Sequence, residues 1–526
     1  MRSPAGGCTH PPGLFQGEMI VAAPIRHIVI VGGGTAGWMA AALLSNVLPP
    51  DRLRLTLVES PDIGTVGVGE ATIPPIQFFN RAVGIDEAEF MRATEGTFKL
   101  GIAFQDWVRP GHRYMHPFGQ PGQAIKGVSF HAWWLRLRAA GYTVPLSDFW
   151  LAEKLADEGR FDTPSSDARS PKSTLAYAYH FDAGLYAAYL RTIAEPRGVM
   201  RVEATVAEVV LDPNDGTVSH LILTDGRRID GDYFIDCTGF RALLIGQALG
   251  RPYEDWSHWL PANRAVAVPS ARTRDPVPFT TATARSAGWQ WRINLRHRTG
   301  NGYVYVADHI DDDQAAATLL ANLDGQALSD PRFLRFTTGR RTQSRYKNVL
   351  AVGLSSGFLE PLESTSIHFI QHALIKFAAT FPLSKDDPLS ANLYNRMIGE
   401  ELEQVRDFLI LHYHANQRVG DPFWDRMRHM DVPDSLAEKM ALFRARGCAI
   451  FPSQTLFQEP NWLAVLLGQE VEPDSYDPLA DAGDLSDIRQ GFDATRQIIA
   501  QTARAAPLHM DYLSRLIAPG NRRGAA

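Results

Sequence analysis

The stretch HIVIVGGGTAGWMAAALL, from His27 to Leu44, passes from an apolar, β-branched run through a glycine turn into alanine-rich sequence. That order reads as strand, tight turn and helix. In such a turn Gly32 permits the sharp bend, Gly34 lets a phosphate approach the backbone, and Gly37 lets the helix pack closely on the strand. The free N–H groups and positive end of the helix, at Thr35 and Ala36, then suit a pyrophosphate. A second β-run, Leu53 to Val58, ends in Glu59, 22 residues beyond Gly37. This is where a dinucleotide-binding unit places the acid that meets a ribose. A glycine-rich turn in an ordinary parallel sheet would give the same local pattern, and the strand before, helix after and acid beyond argue for the dinucleotide.

Working outward, a glycine-punctuated loop from Ile63 to Pro74 follows Glu59, then a helix from about Pro75 to Arg92. Thr97 to Phe104 alternates as a strand, with Phe98, Leu100, Ile102 and Phe104 on one face and Lys99, Gly101 and Ala103 on the other. Taken alone, Lys99 reads as a solvated lysine on a half-buried strand, although its small neighbours leave room on that face. Tyr114 to Asp162 is irregular and aromatic, fit for a binding wall or a core. A break at Thr163 to Pro171 marks an exposed excursion. Buried strands recur at Gly231–Phe240 and Val349–Gly353, a tryptophan-bearing strand at Gly288–Ile293, and a helix from Ser364 to about Phe381. From Tyr394 the chain reads as mostly helical.

The 526 residues exceed one compact core, and the composition, 45% hydrophobic and 21% charged, is that of a globular protein. A net charge of −6 argues against nucleic acid as a partner. The three cysteines, Cys8, Cys237 and Cys448, have no metal-ligand spacing, so a cytoplasmic setting and no bound metal are expected. No apolar run approaches the roughly 18–20 residues that cross a membrane. Five segments are expected: a disordered tail over 1–23 with Met19 as an alternative start, a nucleotide-binding part over 24–110, and an aromatic insertion over 111–175. The nucleotide-binding module resumes over 176–393, and a helical region closes the chain over 394–526.

The motifs GGGTAGWMAA, VGVGEATIP, TFKLGIAF, AYHFDA, DCTGFRALL, WQWRI, GYVY and FLEPLESTSI occur in the order found in flavin-dependent tryptophan halogenases, which this sequence resembles over roughly residues 25–430. The resemblance implies an α/β flavin-binding fold of the monooxygenase type with a helical C-terminal, substrate-side region. It adds Val206, Gly353 and Leu354 to the flavin contacts. It also implies the chemistry: FAD, reduced by a separate flavin reductase, turns O₂ and bromide or chloride into hypohalous acid, which travels to an aromatic substrate. Lys99 in TFKLGIAF matches the lysine that takes up this oxidant, and Glu363 in PLEST matches the glutamate beside it. Glu363 alone would read as a carboxylate at a helix N-terminus. Thr365 and Ser366 match the halide site, with Ser366 standing where many members have glycine. Trp289 and Trp291 match the barrier that keeps substrate from flavin; Asn294 replaces the usual proline after them. His116 and Phe118 match the aromatic wall around the substrate ring.

The segment from Ile450 to Trp462 aligns with the clamp that holds free tryptophan by its ammonium and carboxylate, but lacks the paired tyrosines and the Phe-Trp. An indole without the amino-acid handle, or embedded in a larger molecule, is therefore the expected substrate. The competing readings are an FAD-dependent aromatic hydroxylase and a non-catalytic flavin protein. A monomer or homodimer is expected.

Overall fold

The computed structural model describes residues 24–48, 51–61, 69–449 and 455–518. The tail to residue 23, most of the glycine loop and the start of the expected clamp, residues 450–454, lie outside them. His27–Val31 is the centre of a six-stranded sheet, flanked in parallel by Arg54–Glu59 and Tyr233–Asp236. Met200–Glu203 extends one side, Val349–Ala351 the other, and Arg345–Tyr346 closes the edge in the antiparallel sense. Ile28, Val29 and Ile30 are wholly buried because helices and loops cover both faces, which is why this strand is a continuous apolar run rather than an alternating one. Helix Thr35–Val47 packs on the sheet through Ala40, Ala41, Ala42 and Leu44.

A second, seven-stranded sheet runs in the order Arg332–Arg335, Arg264–Ser270, Thr299–Tyr305, Gly288–Asn294, Thr280–Arg285, Gly101–Gln105, Arg113–Pro117. A three-stranded sheet of Gly69–Ala71, Ala178–Asp182 and Thr97–Lys99 packs against it. The long helix Pro388–His414 and shorter ones to residue 517 complete the structure. Among the described residues, no helix is long and apolar enough to cross a membrane.

Two local expectations are corrected. The helix expected from Pro75 to Arg92 is two helices, Ile76–Val83 and Glu87–Ala93. Gly84 ends the first in the left-handed region (φ 79°), and Asp86 caps the second by accepting from Glu89 N. The strand expected over Thr97–Phe104 is also two strands, in different sheets. At Leu100 the chain crosses over, donating to Pro278 O and accepting from Phe118 N. Both faces are covered there, so Lys99 is wholly buried instead of solvated. Gly101 is obligatory at the crossing, since a Cβ would meet His116 O at 2.5 Å.

Candidate active site

Two cavities lie on either side of the crossing at Lys99. The larger, about 720 Å³, runs from the glycine turn past Glu59, Val206 and Phe240 to Trp291, Gly353, Leu354 and Ser366. Gly32 adopts φ 115°, and a Cβ there would strike Cys237 O at 2.3 Å. A Cβ on Gly37 would meet Gly32 O at 1.8 Å. Gly34 differs: nothing lies within 4 Å of its would-be Cβ, so no protein atom requires a glycine there. The vacant side-chain position belongs to a cavity lined also by Thr35 and Ala36, at a helix start with no side-chain cap. These features fit the pyrophosphate of a dinucleotide flavin. Glu59 reaches the same cavity, but its carboxylate is already engaged by Trp38 Nε1 (3.2 Å) and Arg201. Gly33, unassigned from sequence, makes room for it: a Cβ would stand 1.7 Å from Glu59 Oε2.

The smaller cavity, about 300 Å³, is lined by His116, Phe118, Ile73, Pro74, Pro75, Gly119, Gln120, Ser173, Thr174, Leu456, Phe457, Gln458, Pro460 and Asn461. None of these carries a full charge at neutral pH unless His116 is protonated.

Lys99 stands in the wall between them. Its Nζ donates to Ser364 Oγ (2.8 Å), on the lining of the larger cavity, and to Thr72 O (3.0 Å). The same nitrogen lies 5.2 Å from the centre of the Phe118 ring, on the lining of the smaller one. Burial lowers the amine's pKa to about 7, against a smaller upward pull from Glu363. The amine is therefore poised near neutrality, available as a donor and as a nucleophile. Ser364 takes φ 59°, an uncommon backbone for a non-glycine residue, and it is this turn that presents the hydroxyl to Lys99.

Glu363 ends a short turn, Pro361–Glu363, and is wholly buried. It neither touches Lys99 through a hydrogen bond nor acts as a helix-start carboxylate. Instead His116 Nδ1 lies 2.8 Å from Oε2, and His412 Nε2 lies 2.7 Å from Oε1 at an angle outside hydrogen-bond geometry. Burial raises the carboxyl's pKa, but the two imidazoles outweigh this and hold it below the ordinary carboxylate range. His412 makes a second contact to Tyr114 OH at 3.1 Å. His412 escaped the sequence reading because it comes from a distant segment, whereas Ser364 and Thr72 lie inside the quoted motifs PLEST and VGVGEATIP without their bonds to Lys99 being legible there.

Helix Ser366–Ala379 begins with Thr365 as an uncapped N-terminal residue. Thr365 Oγ1 is buried without a hydrogen-bond partner among the described residues, and Ser366 faces the larger cavity. Of Trp289 and Trp291, expected as the barrier between substrate and flavin, neither lines the smaller cavity. Trp291 lines the larger cavity, while Trp289 is buried behind it, donating to Glu360 Oε1 at 3.1 Å. Tyr413 OH donates to the same oxygen at 2.5 Å.

The tryptophan halogenase family profile matches residues 27–484. BrvH, a flavin-dependent halogenase from Brevundimonas sp. BAL3, is 46% identical, with a TM-score of 0.90 over 94% of this chain and 99% of that one. Xcc4156, a flavin-dependent halogenase from Xanthomonas campestris, is 46% identical, with a TM-score of 0.91 over 95% of this chain and 100% of that one. The 7-chloro-L-tryptophan 6-halogenase KtzR of Kutzneria sp. (strain 744) is 37% identical over 93% of this chain and 99% of its own length.

Proposed function

Since this chain belongs to the tryptophan halogenase family of flavin-dependent enzymes, we propose that it places bromide or chloride on an indole-type ring, using Lys99 to carry the oxidant between the two cavities. The position of Lys99 carries this reading. One amine bonds the lining of the larger cavity and faces the ring of Phe118 in the smaller one.

In this reading FAD lies along Gly32, Gly34, Thr35, Ala36, Glu59, Val206, Gly353 and Leu354, with Gly37 packing beneath. When bound and reduced by a separate flavin reductase, the cofactor would supply hypohalous acid from O₂ and halide. Thr365 and Ser366 hold the halide, because an uncapped helix start and an unpartnered hydroxyl suit a small anion. Lys99 donates a hydrogen bond to the hypohalous acid and polarises its O–X bond. The ring carbon attacks the halogen, the C–X bond forms, and the oxygen leaves as water once protonated by Lys99. The ionised Glu363 favours the positive charge of the ring from behind His116, and the ring then gives its proton to the now neutral amine of Lys99, which restores the starting state.

The lining of the smaller cavity supports an indole without its amino-acid handle. Among the described residues, no lining aspartate, glutamate, lysine or arginine is available to an ammonium or carboxylate. Burying a zwitterion there would cost several kcal/mol, whereas an aromatic ring gains from Phe118, Phe457 and His116. Indole and tryptophan at equal concentration, with FAD, a reductase, NADH and either bromide or chloride, should give mainly halogenated indole by mass spectrometry. Preference for tryptophan as a single regioisomer would refute the substrate reading. A hydroxylated product formed without halide would refute the reaction.

A further inference from the structure

We propose that Asn461 is a positioning residue that dictates which nitrogen of His116 carries the proton. The inference rests on the reading of the smaller cavity as the chamber where the ring is attacked. Asn461 lies in the first turn of helix Glu459–Gly468. The backbone N–H of Gln458 donates to Asn461 Oδ1 at 2.8 Å. A backbone N–H has no other role, so the oxygen of this amide must face Gln458 and its NH₂ must face away. That NH₂ lies 2.9 Å from His116 Nε2. An amide NH₂ only donates, so Nε2 has to be the bare, accepting nitrogen. The single ring proton is then on Nδ1, where it donates to Glu363 Oε2 at 2.8 Å.

Among the described residues, Glu363 and, beyond it, His412 are the ionisable groups that face this ring from neighbouring elements. Phe408 and Phe457 flank it at 5.5 and 6.0 Å between centroids. Protonating Nε2 would set N–H against NH₂ in a buried site and leave a donor without an acceptor. Asn461 thus holds the wall of the chamber neutral. The ring becomes cationic as the halogen adds, and an imidazolium beside it would oppose that charge. A neutral imidazole backed by an ionised carboxylate favours it. The helix start that aligns with an amino-acid clamp is therefore used inward, to set a tautomer.

Neutron diffraction from crystals of the perdeuterated full-length chain at pH 7 tests the assignment directly. Deuterium on His116 Nδ1 and none on Nε2 is expected. Deuterium on Nε2 in the wild type would overturn the proposal. In Asn461→Asp a carboxylate replaces the NH₂ donor, and both ring nitrogens should carry deuterium. Indole halogenation by that variant should fall at least tenfold in kcat at pH 7 and recover as the pH rises toward 9. Asn461→Leu, which offers His116 neither donor nor acceptor, should show no such recovery. A pH profile for Asn461→Asp that parallels the wild type would also overturn the proposal. Correct deuterium positions in a wild-type protein that halogenates nothing would instead count against the chamber's assigned reaction.

Discussion

Replacing Lys99 by methionine should abolish halogenation and at the same time stabilise the protein at neutral pH. The amine is wholly buried, and burial moves it from 10.5 down to about 7. At 1.36 kcal/mol per decade, that shift corresponds to a penalty of about 5 kcal/mol for holding the charge. The unfolded chain binds a proton that the folded chain gives up between those two values, so this penalty is fully present below pH 7. It is relieved as pH rises toward 10.5. Methionine keeps most of the side-chain volume and removes the penalty, but it forfeits the bonds to Thr72 O and Ser364 Oγ. At roughly 1–1.5 kcal/mol each, those losses leave a net gain of about 2 kcal/mol. Urea unfolding of wild type and Lys99→Met at pH 6.5 and pH 10 measures it. The variant should be the more stable at pH 6.5 and should lose that advantage at pH 10. In the same preparation, oxygen consumption by reduced flavin should continue while halogenated indole disappears. A constant destabilisation at both pH values would refute the burial argument, and halogenation near the wild-type rate would refute the relay.

Gly34→Val should fold normally, because nothing lies within 4 Å of the new Cβ, yet lose FAD binding in a fluorescence titration. Unchanged affinity would remove the pyrophosphate from this turn. Gly302→Ala should weaken flavin binding from the other side, since its Cβ would stand 2.0 Å from Trp291, which must then move. Overpacking of this kind costs about 1–3 kcal/mol, visible as a lower melting temperature. Glu363 is held ionised, with its pKa lowered from 4.5 to about 2, so it contributes stability above pH 4.5 that is lost as pH falls through 2. Acid titrations monitored by circular dichroism should therefore show a shallower loss of stability over that window in Glu363→Gln. Halogenation by the same variant should fall at least a hundredfold at pH 7.

The nucleotide-binding half was legible because its signals are local. A β-branched run, three spaced glycines and an acid at fixed distance are all consequences of one turn; Gly32 and Gly37 stand where that turn requires, and Glu59 reaches the same cavity with its carboxylate held by Trp38 and Arg201. Lys99 was legible as a motif but misleading as a pattern. Alternation assigns one face to solvent only when a strand has a single covered face, and here the chain changes sheets at Leu100. Glu363 shows the other limit. A carboxylate ahead of a helix reads as a dipole partner, whereas its two oxygens meet histidines 247 and 49 residues away in sequence. No window of residues contains that information. Asn461 needed more than position, because its role appears only once the direction of its amide is fixed by a backbone donor.

In the proposed reading, the separation of the two cavities makes the wall, rather than either chamber, the element on which selectivity depends. An oxidant formed at the flavin side is small and reactive, and would attack whichever electron-rich ring it met first. Trp291 lines that cavity and Trp289 lies behind it, pinned through Glu360 to Tyr413. In the proposed reading these indoles form part of the barrier between the flavin side and the substrate. Within the wall, Lys99 would, in the proposed reading, offer the oxidant a polar contact toward the second chamber. Its hydrogen bonds to a carbonyl and a hydroxyl, instead of to a carboxylate, keep its proton transferable. A direct salt bridge to Glu363 would raise the amine's pKa again and make it a fixed cation. The two histidines that engage Glu363 thus serve Lys99 as well. By engaging the carboxylate, they keep it ionised while leaving the amine near neutrality, and in the proposed reading that one buried charge would stabilise the ring.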